Sequence, residues 1–177
     1  VYNTAVGANA AKQLTTGTQN TFLGGYCAAT GIVTGSNNVG IGYNSLTALT
    51  SGNYNIGVGV NALDGVCTGS YNNAFGYLAL SAVLAGASNQ GFGAGAGKLI
   101  TTGTNNVAIG HDTLSSCVSA SYNTAVGHSA LLTSTAGNNT AVGNVALTAC
   151  TTGNINVAVG DEALTDNTSG TSNIGIG

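Results

Sequence analysis

The chain has 177 residues, enough for one domain with a real core, yet two Lys, no Arg and five acidic residues leave only 4% of it charged, with a net charge of −3. An average domain is about a quarter charged. Two cations give no electrostatic grip on phosphates, which excludes nucleic acid as a partner. The longest apolar stretch, LALSAVLAGA at 78–87, falls well short of the roughly 20 residues of a membrane helix, so no membrane insertion is expected.

In chain order, the first element is the pentapeptide Asn3-Thr4-Ala5-Val6-Gly7, and every later element restates it. The second unit starts at Asn20, and the rest at Asn38, Asn55, Asn72, Asn89, Asn106, Asn123, Asn139, Asn156 and Asn173, with spacings of 17, 18, 17, 17, 17, 17, 17, 16, 17 and 17. A glycine stands fourth after each Asn: Gly7, Gly24, Gly42, Gly59, Gly76, Gly93, Gly110, Gly127, Gly143, Gly160 and Gly177. Eleven matches in register define a repeat array. Each unit reads as a short strand N-x-A-V-G, a glycine corner needing a positive φ or close backbone approach, a second strand carrying Ala-Leu, and a Thr/Ser-Gly turn such as TTG at 15, 101 and 151. Helix is improbable, because glycine recurs every few residues and β-branched residues fill the apolar column.

A 17-residue unit cannot bury an apolar face alone, but units stacked about 4.8 Å apart in parallel register bury theirs together. The predicted fold is an all-β parallel β-solenoid, or β-roll, of about ten 17-residue rungs, with residues 1–177 as one repeat domain. The chain begins and stops in mid-pattern, which reads as an uncapped segment of a longer or polymeric assembly. Stacking turns the recurring Asn into an amide ladder along the axis.

Three further columns carry packing expectations. Third after the Asn is always apolar (Val6, Leu23, Ile41, Val58, Phe75, Phe92, Ile109, Val126, Val142, Val159, Ile176), and this column is expected to be buried. Leu dominates the eighth place, and a looser apolar column near the eleventh holds Leu14, Ile32, Leu49, Val66, Val83, Ile100, Cys117 and Cys150. Second after the Asn is small: Ala5, Gly40, Gly57, Ala74, Gly91, Ala108, Ala125, Ala141, Ala158 and Gly175, with Phe22 the exception. Neighbouring strand residues face opposite ways, so the small column is expected to face outward as a tight self-association surface.

N-x-A-x-G followed by x-x-A-L resembles the repeats of YadA-type trimeric autotransporter adhesin heads, and more closely the arrays of phage tail-fibre and surface-fibre proteins, over the whole chain. The resemblance implies a trimer of parallel β-rolls serving as stalk or adhesive head. The period of 17 departs from the shorter period usual in adhesin heads.

Candidates for chemistry have plainer explanations. His111 and His128 stack in a column that otherwise varies as a solvent-facing one does, with no third metal ligand evident. Cys27, Cys67, Cys117 and Cys150 never fall in neighbouring units, and two rungs exceed the roughly 7 Å Cα limit of a disulfide, so buried free thiols are the reading, with bonds between chains left open. GFGAGAG at 91–97 lacks the phosphate-loop spacing and sits on the standard corner. Asp161, Glu162 and Asp166 read as a solvated turn. The sequence points to no enzyme, cofactor or metal site. It points to a self-associating structural protein, extracellular, at a cell surface or on a virion, with a cell-surface or carbohydrate receptor as a further partner. The alternatives are an ice-binding solenoid, which needs a regular outward Thr column that the irregular first place after the Asn does not supply, or a functional-amyloid-like fibril subunit.

Overall fold

A computed structural model describes residues 2–177. Eleven three-residue strands form one parallel sheet in chain order: β1 (Thr4–Val6), β2 (Thr21–Leu23), β3 (Val39–Ile41), β4 (Ile56–Val58), β5 (Asn73–Phe75), β6 (Gln90–Phe92), β7 (Val107–Ile109), β8 (Thr124–Val126), β9 (Thr140–Val142), β10 (Val157–Val159) and β11 (Ile174–Ile176). Partners are equivalent residues of successive repeats, as in Ala108 opposite Ala125. The chain is a β-solenoid of about ten turns, and no helix occurs among the described residues. Coil n is numbered here from the nth Asn of the repeat.

Each coil contains one strand and not two. The Ala-Leu stretch is a run of turns in which the sixth and eighth places take left-handed backbone, as at Asn44 (φ 55) and Leu46 (φ 51). Bulky residues avoid this region. Coil-to-coil hydrogen bonds hold them there: Leu46 N–H donates to the Ala62 carbonyl at 2.9 Å and Leu63 N–H to the Ala79 carbonyl at 3.0 Å. Stacking therefore satisfies the backbone without a second strand.

The facing of the strand is the reverse of the expectation. The small column lies inside the coil: Ala74, Ala108, Ala125, Ala141 and Ala158 are buried, as are Gly40, Gly57 and Gly91. Ala5 and Gly175 share that register in the first and last coils, and a β carbon at Gly175 would lie 2.6 Å from Leu164 Cγ. The eight buried positions are therefore closed to a second copy, while in the two end coils Ala5 is exposed and Gly175 half-buried. The physical reason is the width of the coil. Leu46, Leu63, Leu80, Leu114, Leu131 and Leu147 fill the interior from the turn side, leaving room for only a methyl or a hydrogen on the strand opposite. Phe22 is the large exception, buried in a coil that has Ala28 where most have Leu.

The apolar third-place column, expected inside, faces out. The looser core column also slips by one residue in two coils: Ile32 (60% exposed) and Val66 (50%) point outward, while Val33 and Cys67 are buried in their place. Val33 is bridged to Leu14, one coil earlier.

Candidate functional site

The Asn column is buried and does more than stack. From Asn3 to Asn156 each side chain closes its own coil and seats the next. Asn89 Nδ2 donates to the Gly103 carbonyl at 2.8 Å, fourteen residues on, and Asn89 Oδ1 accepts the backbone N–H of Asn106 at 3.1 Å. The same pair of bonds recurs along the rod. Asn20 closes on Gly35, Asn55 on Gly69, Asn123 on Ala136 and Asn139 on Gly153. Both amide ends find partners, the condition for burying a polar side chain without penalty.

The corner glycines have φ between 113° and 144°. A β carbon at Gly42 would stand 2.7 Å from the carbonyl oxygen of Gly59, one coil on. The corner therefore needs glycine twice over, for the dihedral and for the approach.

The outward side of the sheet is an extended surface with a distinct character. Its two columns are the first and third places after the Asn, which share a face by strand alternation. Third-place residues of the inner coils, such as Ile41, Phe75, Phe92, Ile109, Val142 and Val159, are 37–41% exposed. No strand residue is charged. Phe75 and Phe92 stack at 4.9 Å with 6° between planes. At the strip's edges Tyr54 stacks on Tyr71 at 5.1 Å and 4°, and Tyr26 meets Tyr43 edge-on at 5.8 Å. Within the first-place column Asn73 Nδ2 donates to Gln90 Oε1 at 2.7 Å.

Other candidates are dispersed. His111 and His128 stack at 5.7 Å, with His111 Nδ1 3.1 Å from Asp112 Oδ2. No group of three or more His, Cys, Asp or Glu among the described residues is placed to hold a metal ion. Asp161, Glu162 and Asp166 are exposed, and Asp161 accepts a hydrogen bond from Asn144. In GFGAGAG, Gly91 is inside, Phe92 outside, and Gly95 and Gly97 take the left-handed turn positions. All four cysteines are free and buried; burial pushes the Cys27 and Cys67 thiols up to about 12, and those of Cys117 and Cys150 up as well. They stay protonated, the unreactive form. Burial likewise raises the Asp64 carboxyl.

Sequence reasoning missed a threonine column at the return corner. The hydroxyls of Thr15, Thr50, Thr68, Thr101, Thr135 and Thr151 each donate to a carbonyl of the next coil, at 2.6–3.3 Å. Thr34 and Thr168 continue it; Leu84 and Val118 interrupt it. The signal was the recurring Thr before the turn glycine.

No family model matches the chain, and no curated protein or solved structure matches it either.

Proposed function

We propose that the chain is a non-catalytic structural element, a rod that associates side by side with further copies of itself as part of an extracellular fibre, such as a surface adhesin or phage tail fibre. The outward strip carries this reading. Eleven strands about 4.8 Å apart and three residues wide give a strip of ~500 Å² per copy, so a pair buries ~1,000 Å², about the threshold of a specific interface. Its third-place column is apolar from end to end, and an apolar stripe of that length marks a contact site on a soluble protein. A strip with no charge suits an equally uncharged partner, and a second copy supplies one of matching period.

A carbohydrate receptor gains little support from the stacked aromatic pairs. Tyr54 with Tyr71, and Phe75 with Phe92, turn their ring faces to each other along the axis. Sugars stack on free ring faces, and one face of each of these rings is covered by its partner.

Light scattering on the purified chain tests the proposal. A mass of two or more chains, reduced to one by Ile109→Lys, is the expected result; a stable monomer at the highest soluble concentration overturns it. The threonine column favours a second reading, an ice-binding solenoid. Its hydroxyls are engaged with backbone carbonyls, and it is one residue wide. A thermal-hysteresis measurement on wild type against Thr101→Val and Thr151→Val decides that reading, with no hysteresis in the wild type sinking it.

A further inference from the structure

Coils 5 and 6 alone break both outward columns. In the first place after the Asn, nine strands carry Val, Ile or Thr, all β-branched, and the remaining two carry Asn73 and Gln90. In the third place nine strands carry an aliphatic residue, and the same two carry Phe75 and Phe92. The exceptions are adjacent in the sheet and joined, amide to amide at 2.7 Å and ring on ring at 4.9 Å. They lie at the middle of the strip, on the fifth and sixth of eleven strands.

A surface that repeats every coil says nothing about where a second copy should sit along it. A slip of one coil, about 4.8 Å, exchanges Val for Ile or Thr and keeps nearly the same contacts. The amide pair removes that degeneracy. Gln90 Nε2 reaches the Tyr71 carbonyl at 3.5 Å, while Asn73 Oδ1 has no protein partner among the described residues. Pressed against Val or Ile of a slipped copy, the free amide groups would lose water and gain nothing, the costly outcome for a polar group. Against the same pair of an aligned copy, amide can meet amide. A single buried Asn fixes the register of a coiled coil by the same physics.

We propose that Asn73, Gln90, Phe75 and Phe92 act as a register key that aligns a second copy of this chain, antiparallel and with coil 5 against coil 6, along the outward strip. This rests on the lateral association proposed above. Two strips can face each other with both columns matched only when the copies run antiparallel, because a parallel copy turned to face the first lays its first-place column over the third; the antiparallel copy sets Asn73 against Gln90 and Phe75 against Phe92.

Spin labels placed at the edge of the strip read the alignment. The native thiols are buried, so an introduced Tyr43→Cys or Asn144→Cys is the thiol that reacts. Electron–electron double resonance on the full chain should give one narrow interchain distance at each site, longer for Asn144→Cys than for Tyr43→Cys, because coil 9 and its copy lie seven coils apart and coil 3 and its copy five. Replacing the key with Asn73→Val, Gln90→Val, Phe75→Val and Phe92→Ile should leave the mass by light scattering unchanged. The two narrow distances should then give way to broad distributions, from offsets in steps of about 4.8 Å. A broad distribution in the assembled wild type overturns the key, as does an unchanged narrow one in the variant, and either leaves lateral association standing. A monomeric wild type overturns both.

Discussion

Phe22 in β2 lies directly opposite Gly40 in β3, and the two positions share one space inside the coil. A β carbon at 40 would stand 3.2 Å from Phe22 Cδ1 and 2.5 Å from Cys27 Sγ. Gly40→Ala should therefore destabilise the fold by about 1–3 kcal/mol through overpacking, and Phe22→Ala by about 3–5 kcal/mol through the cavity left. The double variant should cost less than the sum, because the truncated ring makes room for the new methyl. Urea unfolding of the four proteins checks this, and simple additivity would refute the shared-space account.

Asn89 anchors two coils at once, so its removal should be felt at both. Asn89→Ala strips the carbonyl of Gly103 of its donor and the N–H of Asn106 of its acceptor. Each buried orphan costs about 1–3 kcal/mol, and the pair should lower stability by about 3 kcal/mol or more. Hydrogen exchange should speed up first at the amide of Asn106. Protection unchanged there would mean that the side chain is not what seats the following coil.

The buried thiols make stability fall at high pH. Cys67 has its thiol raised from 9.0 to about 12 by burial, and Cys27 likewise. Below pH 9 the thiol is protonated in both folded and unfolded chains, and the stabilisation is complete. Between pH 9 and about 12 only the unfolded thiol ionises, so stability is lost at about 1 kcal/mol per pH unit per thiol. Cys67→Ala should flatten that decline relative to wild type. An equal slope in the two proteins between pH 9 and 11 would disprove the linkage.

The facing of the strand is testable with two lysines. Ile109→Lys lies on the outward strip and should change folding stability by about 1 kcal/mol at most, while Leu114→Lys, at a buried site, should prevent folding or melt the coil. Circular dichroism melts separate them. The opposite ranking would restore the view that the third-place column is core.

The period, the Asn column and the glycine corners are all legible in the letters, because stacking forces equivalent residues into line. Which strand face is inside was misread, and the reason lies in treating Val and Ile as interior by type. Strand alternation ties the third place to the first, so burying Phe75 and Phe92 would also have buried Asn73 and Gln90; that was the available sign. The Leu column had already filled the coil. The second strand was misread because Leu46 and its equivalents adopt left-handed backbone that their identity disfavours and only coil-to-coil hydrogen bonds impose. The one-residue slips at Val33 and Cys67 have no local signature, since Ile32 and Val66 are as apolar as the residues that replace them.

The closing bond of the Asn column spans fifteen residues from Asn20 to Gly35, fourteen from Asn89 to Gly103 and thirteen from Asn123 to Ala136, with nearly the same distance each time. Circumference is thus set by a latch rather than by a residue count, and slack is taken up between the turn and the latch. A peptide grafted into that stretch should bulge outward without disturbing the coils on either side, and a whole coil should be removable as a unit that leaves the latches of its neighbours intact. The rod is in this sense a ruler whose length is written in multiples of one unit.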